Sequence, residues 1–497
     1  MNLEKEQIVD LFLEFHTMAF ARINELEHQV KLLQKALYGN KKETHQSLPS
    51  SQTQLSFIED AVVLEESVEE EYEQVTYKRK KKKDRVDFSK LSFPAELERV
   101  ETVIEPEEKT EGMVKIGEER TELLAIVPEK FYVKVIVRPK YKMENENTET
   151  STIVIAALPS RAIASGKIDT SFLVRILCDK YLDHLPLYRQ LKRYERLGMK
   201  LSDATIGHWV HQGIRLLQYL YEELIKQVKN STYIQADETT IKVLDPDKPG
   251  TTHRGYYWVY HAVESGLVLY EYHDGRGKNA GGKFIRGYKG YLQSDGLQAY
   301  KSLSAESDEI IHVCCMAHAR RKFFEAEDGE RKQTTWMLNK IQELYEIERY
   351  AREHHYTAHQ RFVLRQQKAL PILDEMKKWC DEKSLQLWPT NTVNKAIVYM
   401  LNHWSQLHRY CSDGRLEIDN NGVENAIRPV ALGRKNYLFA GSHDAAQRSA
   451  IIYSLLATCK KNNIEPYAWL EKTLNALPDT TTSQLHKLLP IKNQYAL

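Results

Sequence analysis

The stretch STYIQADETTIKV, residues 231–243, decides the fold that the sequence predicts. Apolar and polar residues alternate along it with the period of two that is typical of a β-strand. Four more segments of strand character follow: RGYYWVYHAV (254–263), GLVLYEYH (266–273), GYLQSDG (290–296) and IIHVCCMAH (310–318). Helical sequence then runs from about residue 320 to 410. Strands joined by short turns, followed by strands with helices between them, predict an α/β or α+β sheet domain.

Two aspartates lie where strands disfavour them. Asp237 is inside the first of these strands, and Asp295 ends the fourth, just before Gly296. Because aspartate is depleted in strands, both positions need a reason. If the two strands are neighbours, their carboxylates converge at one end of the sheet. Oxygen ligands of this kind are what Mg²⁺ prefers, so the pair could hold a divalent cation.

The stretch DNNGVENAIRPV offers a third acidic side chain. We expect Asn421 to cap a helix there, which places Glu424 in the first turn and Arg428 one turn further on the same face. A capping box and an ion pair between residues four apart would explain Glu424 and Arg428 without catalysis. Glu417 and Asp419 are rival candidates for the third acid.

Basic residues near these acids are candidate DNA contacts, because arginine and lysine bind phosphates. They are His318, Arg320, Arg321 and Lys322 after the fifth strand, Arg428, Arg434 and Lys435 after Glu424, and Lys192 and Arg193 in an upstream helix. For each of them, an exposed basic residue or an intramolecular pair is the alternative. We favour DNA for Arg434 and Lys435, since Gly433 would let a backbone approach closely.

Several long motifs closely resemble the transposase of the insertion sequence 66 family. They are LDHLPLYRQ, YIQADETT, LQSDGLQAY, CMAHARRKF and DNNGVENAIRPVALGRKNYLFAGS, and the resemblance covers most of the chain. It implies an RNase H-like core in which Asp237, Asp295 and Glu424 form the catalytic, metal-binding triad. The implied activity is metal-dependent cleavage of insertion-element ends and 3′-hydroxyl strand transfer into target DNA. It would use two Mg²⁺ or Mn²⁺ ions and no nucleotide cofactor.

The resemblance and the residue patterns together divide the chain. The predicted parts are a coiled-coil, leucine-zipper-like helix (1–38), a charged flexible linker (39–94), a small β module (95–165), a helical DNA-binding region with a helix-turn-helix candidate (166–230), the first part of the core (231–330), a helical insertion (331–412), the last part of the core (413–465) and a C-terminal tail (466–497). Each has a plainer alternative. The first helix could dock on its own domain instead of forming a dimer, the basic run of the linker could be only a solvated tether, and the helix-turn-helix could be ordinary core.

Zinc is not expected. Many relatives carry a four-cysteine zinc ribbon in the β module, but those cysteines are missing here. His312, Cys314, Cys315 and His318 suggest another zinc site, yet adjacent cysteines on a strand point to opposite faces. The turn GRGKNAGG lacks the ending of a phosphate-binding loop.

Composition limits the remaining classes of function. The 497 residues carry 70 basic and 69 acidic side chains, so overall positive charge does not drive any DNA binding. The six scattered cysteines predict a reducing compartment, and no apolar run is long enough to span a membrane. We therefore expect a bacterial cytoplasmic, nucleoid-associated protein whose partners are DNA, a second copy bound through the N-terminal helix, and two small accessory proteins. The rival interpretations are an end-binding repressor that no longer cuts and a structure-selective RNase H-like nuclease.

Overall fold

The computed structural model describes residues 129–144, 151–163, 167–245, 248, 250–277, 283–326 and 331–492. The predicted coiled-coil helix, the linker and the first part of the β module lie outside these residues. The described part of the β module contains one antiparallel hairpin, formed by β1 (Lys140–Glu144) and β2 (Ser151–Ile155). Among the described residues, no helix is both long and apolar enough to cross a membrane.

A five-stranded mixed sheet forms the centre of the fold. Its strands are β3 (Tyr233–Leu244), β4 (Thr252–Ala262), β5 (Leu267–His273), β6 (Gly290–Ser294) and β7 (Ile310–Cys314). The spatial order is β5-β4-β3-β6-β7, with β3, β4 and β5 antiparallel to one another and β6 and β7 parallel to β3. The predicted α/β class is therefore confirmed.

Four helices precede the sheet: α1 (Thr170–Tyr181), α2 (Leu187–Arg196), α3 (Asp203–Leu216) and α4 (Gln218–Lys229). Ser202 caps α3 by accepting a hydrogen bond from the Thr205 backbone N–H at 3.1 Å, as its residue type favours. The chain leaves α2 through Gly198, whose φ of +88° suits glycine.

Two helices lie among the later strands, α5 (Gln298–Ser304) and α6 (Met316–Glu325). Between the sheet and the Glu424 region come α7 (Arg331–Glu353), α8 (Ala358–Leu364), α9 (Leu370–Ser384), α10 (Thr392–Asn402) and α11 (Trp404–His408). One π-helical turn, Arg365–Ala369, joins α8 to α9. The helices share one apolar cluster with β7 and α6, so this layer packs directly on the sheet domain.

Three helices complete the fold: α12 (Asn421–Tyr437), α13 (His443–Lys461) and α14 (Pro466–Ala476). Helix α13 covers the edge strand β5. The backbone N–H groups of Val268 and Tyr270 donate to Thr458 Oγ1 at 3.0 Å and Ser454 Oγ at 2.8 Å. An exposed strand edge would be free to pair with another chain, and these hydroxyls occupy it instead.

Candidate active site

Strands β3 and β6 are neighbours, which is the condition for Asp237 and Asp295 to converge. Their parallel register pairs Tyr233 with Tyr291 and Gln235 with Gln293. The paired residues end there, and the same register continued by two residues would bring Asp295 next to Asp237. Because side chains alternate along a strand, each aspartate lies on the same face as the glutamine two residues before it.

The two aspartates are held by local backbone contacts. Asp237 Oδ1 accepts a hydrogen bond from the Glu238 N–H at 2.8 Å, and Asp295 Oδ1 accepts one from the Leu297 N–H at 3.0 Å. Neither carboxylate has an ion-pair partner within the described residues. Burial raises the pKa of Asp237 well above its usual range, and the nearby charges of Glu238, Asp295 and Glu424 raise it further. Like charges crowded in a buried place favour binding of a cation.

Glu424 approaches from helix α12. The helix begins at Asn421 with Asn420 as its N-cap, so the prediction that Asn421 is the cap was wrong by one residue. The reason is Asp419, whose Oδ1 accepts from the Asn421 N–H at 3.1 Å and extends the helix start by one position. No side-chain capping bond forms at Asn420, and the capping-box explanation of Glu424 is therefore wrong.

The carboxylate of Glu424 lacks the partner that the sequence offered. Arg428 is exposed and forms no ion pair in the part of the chain that the structure describes. Glu424 is only 8% exposed, and its Oε1 is buried without a hydrogen-bond partner, 3.9 Å from His318 Nδ1. Burial raises the pKa of Glu424, an effect that the positive charge of Arg321 partly opposes.

The rival acids are occupied by structural contacts. Glu417 Oε1 lies 3.0 Å from Arg361 Nη1. Asp419 Oδ2 accepts a hydrogen bond from Tyr345 Oη at 2.8 Å, besides the contact at the start of α12. Of the three candidates, Glu424 is the one whose buried oxygen is left unsatisfied.

Two glutamines tie the strands to this segment. Gln235 Nε2 donates to Gln293 Oε1 and to the Asp419 carbonyl, both at 2.9 Å, and Gln235 Oε1 accepts from the Val423 N–H at 3.2 Å. Gln293 Nε2 donates to the Glu417 carbonyl at 2.8 Å. These bonds fix the start of α12 beside β3 and β6. Sequence reasoning missed both glutamines, although a signal was present, because Tyr-x-Gln-x-Asp occurs twice, at 233–237 and 291–295.

Gly422 permits this close approach. A Cβ at this position would overlap Gln235 Oε1 and lie 2.9 Å from His261 Nδ1. Burial lowers the pKa of His261 to about 3, so its ring is neutral against the glutamine.

Sequence reasoning also missed a basic residue near the site. Arg276 follows β5, and its Nε donates to Glu238 Oε1 at 2.9 Å. Its side chain is half exposed. Burial lowers the pKa of Arg276, but the contacts with Glu238 and the charge of Asp295 outweigh burial and leave that pKa raised. The turn GRGKNAGG therefore carries a guanidinium close to the carboxylates.

The predicted basic residues fall into two groups. Arg193 pairs with buried Asp179, and Arg434 donates to the Thr240 carbonyl at 3.0 Å, so both have intramolecular partners. Gly433 is buried within α12, where a Cβ would meet Tyr437, so it serves packing and not the approach of another backbone. The other predicted contacts lie at least partly at the surface, where Lys192 pairs with Glu195 at 3.3 Å and Lys322 with Glu325 at 3.8 Å. They are Lys192, His318, Arg320, Arg321, Lys322, Arg428 and Lys435.

The four residues considered for zinc are divided between two elements: His312 and Cys314 lie in β7, and Cys315 and His318 lie at the start of α6. His312 Nε2 lies 2.9 Å from Ser294 Oγ, and Cys314 Sγ lies 3.8 Å from His403 Nδ1. Cys315 and His318 instead face Glu424. The four therefore do not converge on one point.

The fold and the site together define an α/β protein with acidic side chains on β3, just after β6 and at the start of α12. Comparison with known families then identifies it. Residues 165–448 match the model described as Transposase IS66 family, residues 454–491 the IS66 C-terminal element, and residues 25–102 the Transposase C of IS166 homeodomain. The chain belongs to the IS66 transposase family.

Similar proteins occur in Sinorhizobium fredii. The uncharacterized protein y4qI is 34% identical over 489 residues, covering 94% of this chain and 89% of its own length. The uncharacterized protein y4hP is 32% identical, covering 80% of this chain and 76% of its own length. The uncharacterized protein y4jD is 29% identical, covering 99% and 98%.

Proposed function

We propose that this protein is a DNA transposase that cuts the ends of its insertion element and joins the 3′-hydroxyl ends to target DNA. One observation carries the proposal: the charges of Asp295 and Glu424 both act on Asp237, and none of the three carboxylates is paired with an arginine or lysine among the described residues. Burying unpaired carboxylates is costly unless they bind a cation. Their oxygens suit Mg²⁺ or Mn²⁺.

The chemistry of these donors fits divalent ions, because carboxylate oxygens are the ligands that Mg²⁺ and Mn²⁺ prefer. Asp237 and Asp295 supply oxygens from adjacent strands, while Glu424 supplies one from α12 with its Oε1 free of hydrogen bonds. When bound there, the ions would stabilise the attacking and leaving oxygens of an in-line displacement at phosphorus. Gln235 and Gln293 keep the helix start in place. Water attacks first and frees a 3′-hydroxyl, which then attacks target DNA, so no nucleophilic side chain is needed.

We assign an RNase H-like core to residues 231–330 and 413–465, with residues 331–412 as a helical insertion. The support is the sheet order β5-β4-β3-β6-β7, with three antiparallel strands followed by two parallel ones. The helices α2 and α3 are the candidate end-binding elements, with exposed Lys192 on the first of them. Arg276 is a candidate contact for the scissile phosphate.

The remaining parts of the proposal follow from a DNA substrate. The protein would act in the bacterial cytoplasm, at the nucleoid, as a dimer joined through the predicted N-terminal helix. Two small accessory proteins of the same element would assist it.

The test is nicking and strand transfer on a supercoiled plasmid that carries the DNA flanking the gene, with Mg²⁺ or Mn²⁺ and the accessory proteins present. We expect wild type to cut at the element ends and Asp295→Asn to cut nowhere. Asp308→Asn, an exposed aspartate in the turn before β7, is the matched control and should cut like wild type. End binding without cutting would favour the repressor. Cutting that survives deletion of residues 1–40 and ignores the element ends would favour the nuclease.

A further inference from the structure

Two helix starts meet beside the carboxylates. Cys315 is the N-cap of α6, and His318 lies in the first turn of that helix. The Met316 N–H donates to the Ile418 carbonyl at 3.1 Å, and the Asn420 N–H donates to Cys315 Sγ at 3.4 Å. The beginning of α6 is thereby joined to the beginning of α12, which carries Glu424.

The result is a cluster of three different ligand atoms. One ligand atom from each of Cys315, His318 and Glu424 lies within 4.8 Å of the other two. His318 Nδ1 and Glu424 Oε1 are both buried and have no hydrogen-bond partner, although they lie 3.9 Å apart. Cys315 is 1% exposed. Polar atoms buried without partners are rare in native proteins and indicate a missing ion or water.

We propose that Cys315, His318 and Glu424 form a binding site for a zinc-like divalent ion, distinct in chemistry from the site of the three acids. Sulfur and imidazole ligands select Zn²⁺ over Mg²⁺. With bonds of about 2.0–2.3 Å, tetrahedral ligand atoms lie roughly 3.5 Å apart. The His318 and Glu424 atoms are nearly at that spacing, and Cys315 needs a movement of about 1 Å. On binding, the thiol proton leaves for solvent as the sulfur–metal bond forms.

Zinc at this site would inhibit the enzyme, because Glu424 cannot serve both sites at once. This consequence rests on the proposed function, whereas binding itself does not. Zinc would draw Glu424 toward α6 and away from Asp237 and Asp295. The protein would then be active when free zinc is scarce and silent when it is abundant.

Cobalt titration of the full chain tests the site directly, since a thiolate bound to Co²⁺ gives a charge-transfer band in the near ultraviolet. We expect the band in wild type, its loss on adding Zn²⁺, and its absence in Cys315→Ala. Cys314→Ala is the matched control: the neighbouring buried thiol faces His403, so its removal should leave the band. All six cysteines are free thiols, so the comparison of these two variants is what assigns the band to Cys315. Wild type without a band, or an equal band in Cys315→Ala, would overturn the proposal.

A second variant guards against misfolding. His318→Gln should keep the thiolate band but weaken Co²⁺ binding by tenfold or more, in line with losing one ligand. An unchanged affinity would count against the site. In the plasmid assay, Zn²⁺ should stop nicking by wild type at a concentration at least tenfold lower than for any active His318→Gln protein. A cobalt band without nicking under any condition would support the metal site and contradict the transposase proposal. Nicking without a cobalt band would support the transposase proposal and contradict the metal site.

Discussion

Two groups of buried acids in this protein have opposite surroundings. In the helical layer, Glu348 is 1% exposed and accepts from Arg365 Nε and Nη2, each at 2.7 Å. Beside the sheet, Glu424 is buried and Asp237 of β3 is half-buried, and within the described residues neither has such a partner. Burial raises the pKa of Glu348, but the hydrogen bonds and charges of Arg365 and Arg361 outweigh it and leave that pKa lowered. At the sheet, burial and the neighbouring acids act in the same direction, and the pKa of Asp237 rises.

The difference teaches how to separate a structural charge from a functional one. Glu348 and Arg365 pair with each other, and Arg365 also donates to the Tyr410 and Leu416 carbonyls, both at 2.8 Å. The charged groups of this pair therefore find their partners within the protein. Among the described residues, the acids at the sheet have no arginine or lysine partner and Glu424 Oε1 has no hydrogen bond, so these acids can take a ligand. Strongly perturbed carboxylates next to like charges are typical of functional sites.

Breaking the paired group should have the largest effect. Arg365→Met leaves Glu348 buried without its main partner, and we expect a loss of about 3–5 kcal/mol in the free energy of unfolding. Urea unfolding measures it. The double variant Arg365→Met with Glu348→Leu should regain most of the loss, because it removes both charges. A loss below about 1 kcal/mol in the single variant would show that the pairing is not what holds this layer together.

Disturbing the frame of the unpaired group should have an intermediate effect. In Gly422→Ala the added Cβ pushes against Gln235 and His261, at a cost of about 1–3 kcal/mol for overpacking. A displacement of Glu424 by about 1 Å should lower the nicking rate by roughly 100-fold. Gly441→Ala is the control, since nothing lies within 4 Å of its added Cβ. Equal nicking rates in the two variants would contradict the role given to this close approach.

Removing one charge from the unpaired group should have the smallest effect on stability, and this change should stabilise the protein instead of destabilising it. The pKa of Asp237 is raised in the folded state, so the stability that its protonated carboxyl contributes is fully present below the ordinary pKa of 3.8 and is lost as pH rises through the raised value. Without metal, wild type should therefore melt at lower temperature as pH rises, and Mg²⁺ should restore it. Asp237→Asn should flatten this dependence and stabilise the metal-free protein by about 1 kcal/mol at neutral pH. Thermal unfolding across pH measures this, and Asp308→Asn should follow wild type. The prediction is refuted if Asp237→Asn follows wild type as well.

Much of the sheet could be predicted from local patterns. Period-two alternation marks β3 through β7, and Asp237 and Asp295 stood out because strands disfavour aspartate. The start of α12 was missed by one residue, since two asparagines and an aspartate compete as caps and only their contacts decide.

The rest depended on contacts between distant residues. Gln235 and the Asp419 carbonyl are separated by 184 positions, and no local pattern reports such a bond. Cys315 and His318 were grouped with His312 and Cys314 because they are neighbours in sequence, whereas the fold gives them Glu424 instead. The sequence also could not show that Glu424 Oε1 has no hydrogen-bond partner, since Arg428 offered a plausible partner at helical spacing.

The long separation between Gln235 and Asp419 also sets an order of events during synthesis. The strands leave the ribosome first, and the helices from Arg331 to His408 follow before Glu424 has been made. These helices rely on local contacts, which form quickly, and their folding shortens the loop that must close. A nascent chain that already holds both aspartates lacks Glu424, so the proposed site can form only after α12 has emerged and docked.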